Sequence, residues 1–199
     1  MITRNGWSRW AKPAPANPIV GSPVSVPGIP FGASVEDPAT LYLSNYVWGA
    51  QQQENDVVSV CKLSGGHCLL QGTVQLGGVM GPPFVQNDKA YITVYGGPDA
   101  PGSELHQLDL TNPQSPVDTI VQTPFARWGS LLAVSGDVAL ITSGWSSGGV
   151  DVYLLNGTAP PVYRQTVRDL FWSSTMVTRQ GSTLYVVGGP WGVQPIDAP

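Results

Sequence analysis

Charge is scarce in this chain of 199 residues. Only 11% of residues are charged, nine Lys and Arg stand against thirteen Asp and Glu, and the net charge is −4. The basic residues are scattered, so no cationic stripe exists to displace counterions from nucleic acid or to hold an anionic membrane. Long apolar runs are missing too: none approaches the ~20 residues that cross a bilayer. MITRNGWSRWAKPAPANP, at the start, has no continuous apolar stretch and so does not read as a signal peptide. Apolar residues nowhere keep helical spacing beyond about two turns. Nor is there a Gly-x-Ser-x-Gly elbow, a Walker loop, a His-Glu-x-x-His pair or a dinucleotide fingerprint.

What the chain has is turn-formers and short apolar strands. It holds 24 Gly and 19 Pro with 42% hydrophobic residues, a globular all-β composition. One pattern is written four times, in VEDPATLYLSNYVW (35–48), VQNDKAYITVYGG (85–97), VSGDVALITSGW (134–145) and VTRQGSTLYVVGGPW (177–191). The copies recur at roughly 45–49 residues, the range of propeller blades. An alternating strand follows each: DVVSVCKL (56–63), SELHQLDL (103–110), GVDVYLLN (149–156) and GVQPIDAP (192–199). A third comes next in CLLQGTVQL (68–76), PVDTIVQTP (116–124) and PVYRQTVRD (161–169), a slot that NPIVGSPVSV (17–26) also fits. A fourth returns the chain through FGASVED (31–37), PFVQND (83–88), SLLAVSGD (130–137) and STMVTRQG (174–181). Their exits, Glu36-Asp37, Asn87-Asp88, Gly136-Asp137 and Gln180-Gly181, are turn-forming.

Four short antiparallel strands per unit make a β-propeller of about four blade equivalents. Residues 1–17 read as an arm or the remnant of a truncated blade, and 18–199 as blades. The units run 39–87, 88–136 and 137–181, with a closing half-blade at 182–199. Both ends supply a second-strand segment, Trp7 to Ala11 being the first, where a closed four-bladed ring needs one. The expectation is therefore part of a larger ring; the alternative is four blades closing by themselves, with Trp7 to Pro18 an extended arm.

Cys61 and Cys68 are the two cysteines. A hairpin centred on Ser64 and Gly65 sets them directly opposite on one face, within the reach of a disulfide. Closing so short a loop contributes roughly 2–2.5 kcal/mol in the chain-entropy model. Reduced thiols, or half a metal site joined by His67, are the alternatives. A disulfide implies an oxidising compartment, outside the cell or in its envelope. With no signal peptide, that suggests that these residues are not the whole natural chain.

SELHQLDLTNPQSP (103–116) resembles the secreted bacterial β-propeller proteins with LVIVD-type repeats. Leu108, Asp109, Leu110, Thr111, Asn112, Pro113 and Pro116 match that pattern in order. PANPIVGSPVSVPGIPFGASVED (15–37) is similar to the stretch that follows it, and GGPWGVQPID (188–197) to the closing blade, with Asp197 at the Asp position. The copy at 149–161 departs at Leu155 and Asn156, and the copy at 56–68 replaces the Pro turn with the cysteine hairpin. The resemblance implies the fold and a secreted setting; it brings no catalytic residue.

Candidate sites are few. Asp109 and Asp197 end equivalent strands, where a carboxylate can accept N–H bonds from the next turn, Thr111–Asn112 for Asp109; the functional alternative is a cation or substrate at the ring opening. Asp99 and Glu104, in GGPDAPGSE, are a weak calcium pair, with a solvated turn the plainer reading. His67 and His106 read as solvated or edge-packed. Trp128 and Trp172 precede inner strands and suit packing between blades. Trp48, Trp145 and Trp191 follow the repeated strand on connecting loops and could form a carbohydrate or peptide platform.

The sequence leads to a noncatalytic extracellular or envelope module binding a protein or glycan, with no cofactor beyond possible calcium. Two alternatives stand beside it: a secreted hydrolase or lyase whose carboxylates converge at the axis, and a structural subunit pairing through open blade edges.

Overall fold

The computed structural model describes residues 23–45, 56–79, 81–95, 102–125, 129–142, 149–156, 159–167, 176–187 and 192–197. These residues are all-β, without helix, and form four antiparallel sheets. The first sheet holds β1 (Ile29–Ala33), β2 (Thr40–Asn45), β3 (Asp56–Ser64) and β4 (His67–Leu76). The second holds β5 (Phe84–Gln86), β6 (Lys89–Tyr95), β7 (Ser103–Asp109) and β8 (Val117–Phe125). In the third are β9 (Leu131–Ser135), β10 (Val138–Thr142), β11 (Val150–Asn156) and β12 (Ala159–Val167). The fourth has three described strands, β13 (Met176–Gln180), β14 (Thr183–Val187) and β15 (Val193–Asp197). Within each sheet, spatial order equals chain order.

The repeated apolar segments become the second strand of each sheet, and burial explains why they are apolar on both faces. Along β6, Ala90, Ile92 and Val94 pack toward the first sheet, with Tyr42, Val58, Val60, Leu108 and Leu110. Tyr91 points the other way, into a cluster with Leu131, Ala139 and Ile141 of the third sheet. On β10 the alternation continues: Ala139 and Ile141 face the second sheet, whereas Val138 and Leu140 join Leu184, Val186 and Ile196 of the fourth. A strand covered on both sides loses the polar alternation of a half-exposed one. Each fully buried Leu, Ile or Val contributes about 1.5–3 kcal/mol before entropy is counted.

The sheets thus stack in chain order through three apolar layers. Their first strands also meet in that order, β1 against β5, β5 against β9 and β9 against β13. Among the described residues, no contact of that extent returns from β13 to β1. Gly72 on β4 lets the first two sheets approach: a Cβ there would sit 2.5 Å from the Pro113 carbonyl oxygen.

Several turns differ from expectation. Asn87 and Asp88, at φ 52° and 56°, do form the two-residue turn joining β5 to β6. Such paired positive φ values match the twist of a hairpin. Glu36-Asp37, by contrast, belongs to a longer connection, because Ala33 already pairs with Leu41. Between β13 and β14 the turn residues are Gly181 and Ser182, one position later than expected, since Gln180 pairs with Thr183. Residues 23–26, the described part of the proposed strand at 17–26, form no strand; Trp7 to Ala11 lie outside the described residues.

Candidate functional site

The cysteine hairpin is shifted by one residue. Gly65 and Gly66, at φ 58° and 78°, take the turn, and Ser64 pairs with His67. Cys68 therefore faces Leu63, while Cys61 faces Leu70 beside a bulge. The two cysteines are diagonal neighbours on one face rather than directly opposite, with Cα atoms 5.6 Å apart and sulfurs at bonding distance. Diagonal cross-strand pairs come within reach where a bulge tightens the local twist. Cys61 is buried and His67 is exposed at the hairpin end.

Turns between the first two strands of successive sheets are tied by polar contacts. The phenol of Tyr42 donates to Asp88 Oδ1 at 2.6 Å, and the Val35 N–H donates to the same oxygen at 3.1 Å. Gln86 exchanges two bonds with Gly136, donating Nε2–H to its carbonyl at 3.0 Å and accepting its N–H at 2.7 Å. Arg179 reaches from the fourth sheet to Asp137 on the third. First to second, second to third, third to fourth: each step along the stack has its own polar tie. Burial, and then the bond to Asp88, push the Tyr42 phenol well above the ordinary tyrosine range.

These ties place all the turns between first and second strands at one end of the stack. Connections between second and third strands, and from one sheet to the next, leave from the other end. Trp48, Trp145 and Trp191 fall in the former connections; Trp128 and Trp172 fall in the latter. All seven tryptophans of the chain lie outside the described residues, as does Asp99.

Asp109 does what the turn reading asks. Its Oδ1 accepts the Thr111 hydroxyl at 2.6 Å and the Thr111 N–H at 3.0 Å. Those bonds hold its carboxyl below the usual range. Asp197 ends β15 in the corresponding position, exposed and opposite Thr183. Asp37 is likewise lowered, first by Lys62 and then by the Thr40 hydroxyl.

Glu104, the described member of the calcium pair, has a histidine beside it. It lies on β7, its Oε2 3.5 Å from His106 Nε2. His106 is buried rather than solvated, between β6 and β8, and its Nδ1 lies 2.9 Å from Asp118 Oδ2. The pair Glu104 and His106 was legible as alternate residues on one strand face. Asp118 was not, because it reaches His106 only through a β7–β8 register that shifts twice.

Compared with family models and with curated protein sequences, the chain matches none.

Proposed function

We propose that the chain is a noncatalytic β-propeller module that binds a protein or glycan, and that it forms part of a larger ring. One observation carries the binding reading. Trp48, Trp145 and Trp191 each fall in the sequence between the second and third strands of a sheet, so all three belong to connections of one kind. Aromatic residues recurring in equivalent connections of a repeated scaffold suit the capture of sugar rings or peptide side chains. The ring reading draws on sheets stacked in chain order and first strands in serial contact, with no return of that extent from β13 to β1 among the described residues. The LVIVD-type resemblance is in keeping with both. Cys61 and Cys68 at disulfide distance favour an extracellular or envelope setting.

Glycan-array and pull-down screening tests this reading with wild-type chain and a Trp48→Ala, Trp145→Ala, Trp191→Ala triple variant. Expected is a ligand bound by the first and lost by the second, with no hydrolytic turnover of it. Turnover of a glycan by the wild-type chain would favour the hydrolase instead.

A second reading has its own observation. The fourth sheet ends at β15 with no fourth strand among the described residues. An unpaired edge is a template for another strand, so the chain is also read as a subunit that pairs through this open edge with a second copy.

A further inference from the structure

Tyr185 holds a position that two other sheets keep covered. It lies two residues past the cross-strand pair that closes its turn, Gln180 with Thr183. Tyr91 stands two past Gln86 and Lys89, and Leu140 two past Ser135 and Val138. Tyr91 is buried against Leu131, Ala139 and Ile141 of the third sheet, and Leu140 against Leu184 and Val186 of the fourth. Tyr185 has no following sheet among the described residues and is only half-buried. Alternate residues of a strand share a face, as do paired residues across strands. Thr178, Gln180, Val187, Val193 and Pro195 therefore lie on the face of Tyr185. Val187 is half-buried and the other four are exposed. Gln180 repeats the pattern at the rim, because it matches Gln86, which exchanges two bonds with Gly136 of the third sheet. The apolar seat and the polar hook of the sheet-to-sheet contact thus both recur on the outward face of the fourth sheet.

The opposite end of the stack is closed. Leu43 and Cys61 face away from the second sheet, since Tyr42 and Val60 beside them pack toward it, yet both are fully buried. The fourth sheet of one copy therefore meets no open first sheet on another. A single open face pairs with its own kind, about a two-fold axis. We propose that two copies associate face to face through their fourth sheets, with Tyr185, Val187 and Val193 central and Gln180 at the rim. This rests on the reading of the chain as a subunit that pairs with a second copy, and sets the contact on the sheet's face rather than its edge. Charge does not oppose it. Among the described residues of these strands, Asp197 alone brings a charge to this face, opposite Thr183, and Arg179 turns away to Asp137. The patch is small beside the ~20–30 residues per side of a standard interface, so the dimer is weak and forms at high concentration.

Sedimentation equilibrium of the full chain over a range of concentrations tests this. Wild type should pass from monomer to dimer and stop there. Thr178→Arg, at an exposed position on β13, should stay monomeric wherever wild type dimerises, because the contact would gather like charges from both copies. Tyr185→Lys should do the same. β13 lies two strands from the β15 edge, so pairing through that edge would survive Thr178→Arg. Thr73→Arg, exposed on the outward side of the first sheet, should leave the dimer unchanged. Thermal unfolding of dilute samples should match wild type for Thr178→Arg and Thr73→Arg, which shows that both fold. A wild-type chain that stays monomeric, a dimer that survives Thr178→Arg, or a dimer lost in Thr73→Arg would overturn the proposal; survival in Thr178→Arg would leave edge pairing standing.

Discussion

Tyr42 shows how one side chain can serve two layers. Its ring is buried in the apolar contact between the first two sheets, and its hydroxyl ends on a carboxylate of the second. Tyr42→Phe keeps the ring and removes the donor, leaving Asp88 with one fewer bond in a buried place. Stability should fall by about 1–3 kcal/mol, the range for a buried hydrogen bond whose partner is left behind. The same variant carries a pH signature. A phenol raised in the folded state contributes stability that is complete below its unfolded value near 10 and is lost as pH rises beyond it. Burial raises Tyr91 in the same direction, so wild-type chain should lose stability above pH 10 through both groups. Denaturant titrations at pH 7 and above pH 10 check this: the alkaline loss should be smaller in Tyr42→Phe. Equal losses in both chains would mean that the phenol is not held as described.

At the scale of elements, the strands were legible because their covering differs. DVVSVCKL, SELHQLDL and GVDVYLLN alternate or nearly so, and they form β3, β7 and β11. The apolar runs of the four repeats form second strands, of which β6 and β10 are covered on both faces, whereas β14 is buried on one. Turn positions were legible to within a residue and no better. Gly65 and Gly66 displaced the expected Ser64-Gly65 turn because two consecutive positive φ values favour two glycines. That single step moved the cysteines from opposed to diagonal. Bulges did the rest, since an extra residue on one strand changes which side chains meet and leaves no trace in composition. The His106 group was hidden for that reason. The cysteine hairpin carries a prediction of its own. Cys61→Ala with Cys68→Ala should lower stability by about 2.5 kcal/mol at most, the chain-entropy value for so short a loop. The variant's thermal midpoint should match that of wild-type chain under reductant, and a thiol assay of the native chain should find no free thiol. Two free thiols in the native, folded chain would remove the basis for an oxidising compartment.

The whole molecule poses a question of closure. Three sheets have four strands, and the fourth has three described ones. Among the described residues, the contacts between first strands run from β1 to β13 without a return of equal extent. On the outer side of the fourth sheet, Val193 is 55% exposed and cross-strand from Val187, and Pro195 is exposed beside Tyr185. Among the described residues, β15 therefore offers a neighbour both an apolar face and an edge with no strand beside it. If this edge pairs with a second copy, light scattering should give a mass that rises toward a dimer with concentration. Val193→Lys should return the chain to a monomer, because a charge on an edge strand penalises pairing while an exposed position tolerates it within the fold. Thermal unfolding of the variant should match wild type when both are dilute. A wild-type chain that stays monomeric at high concentration would rule out pairing between copies.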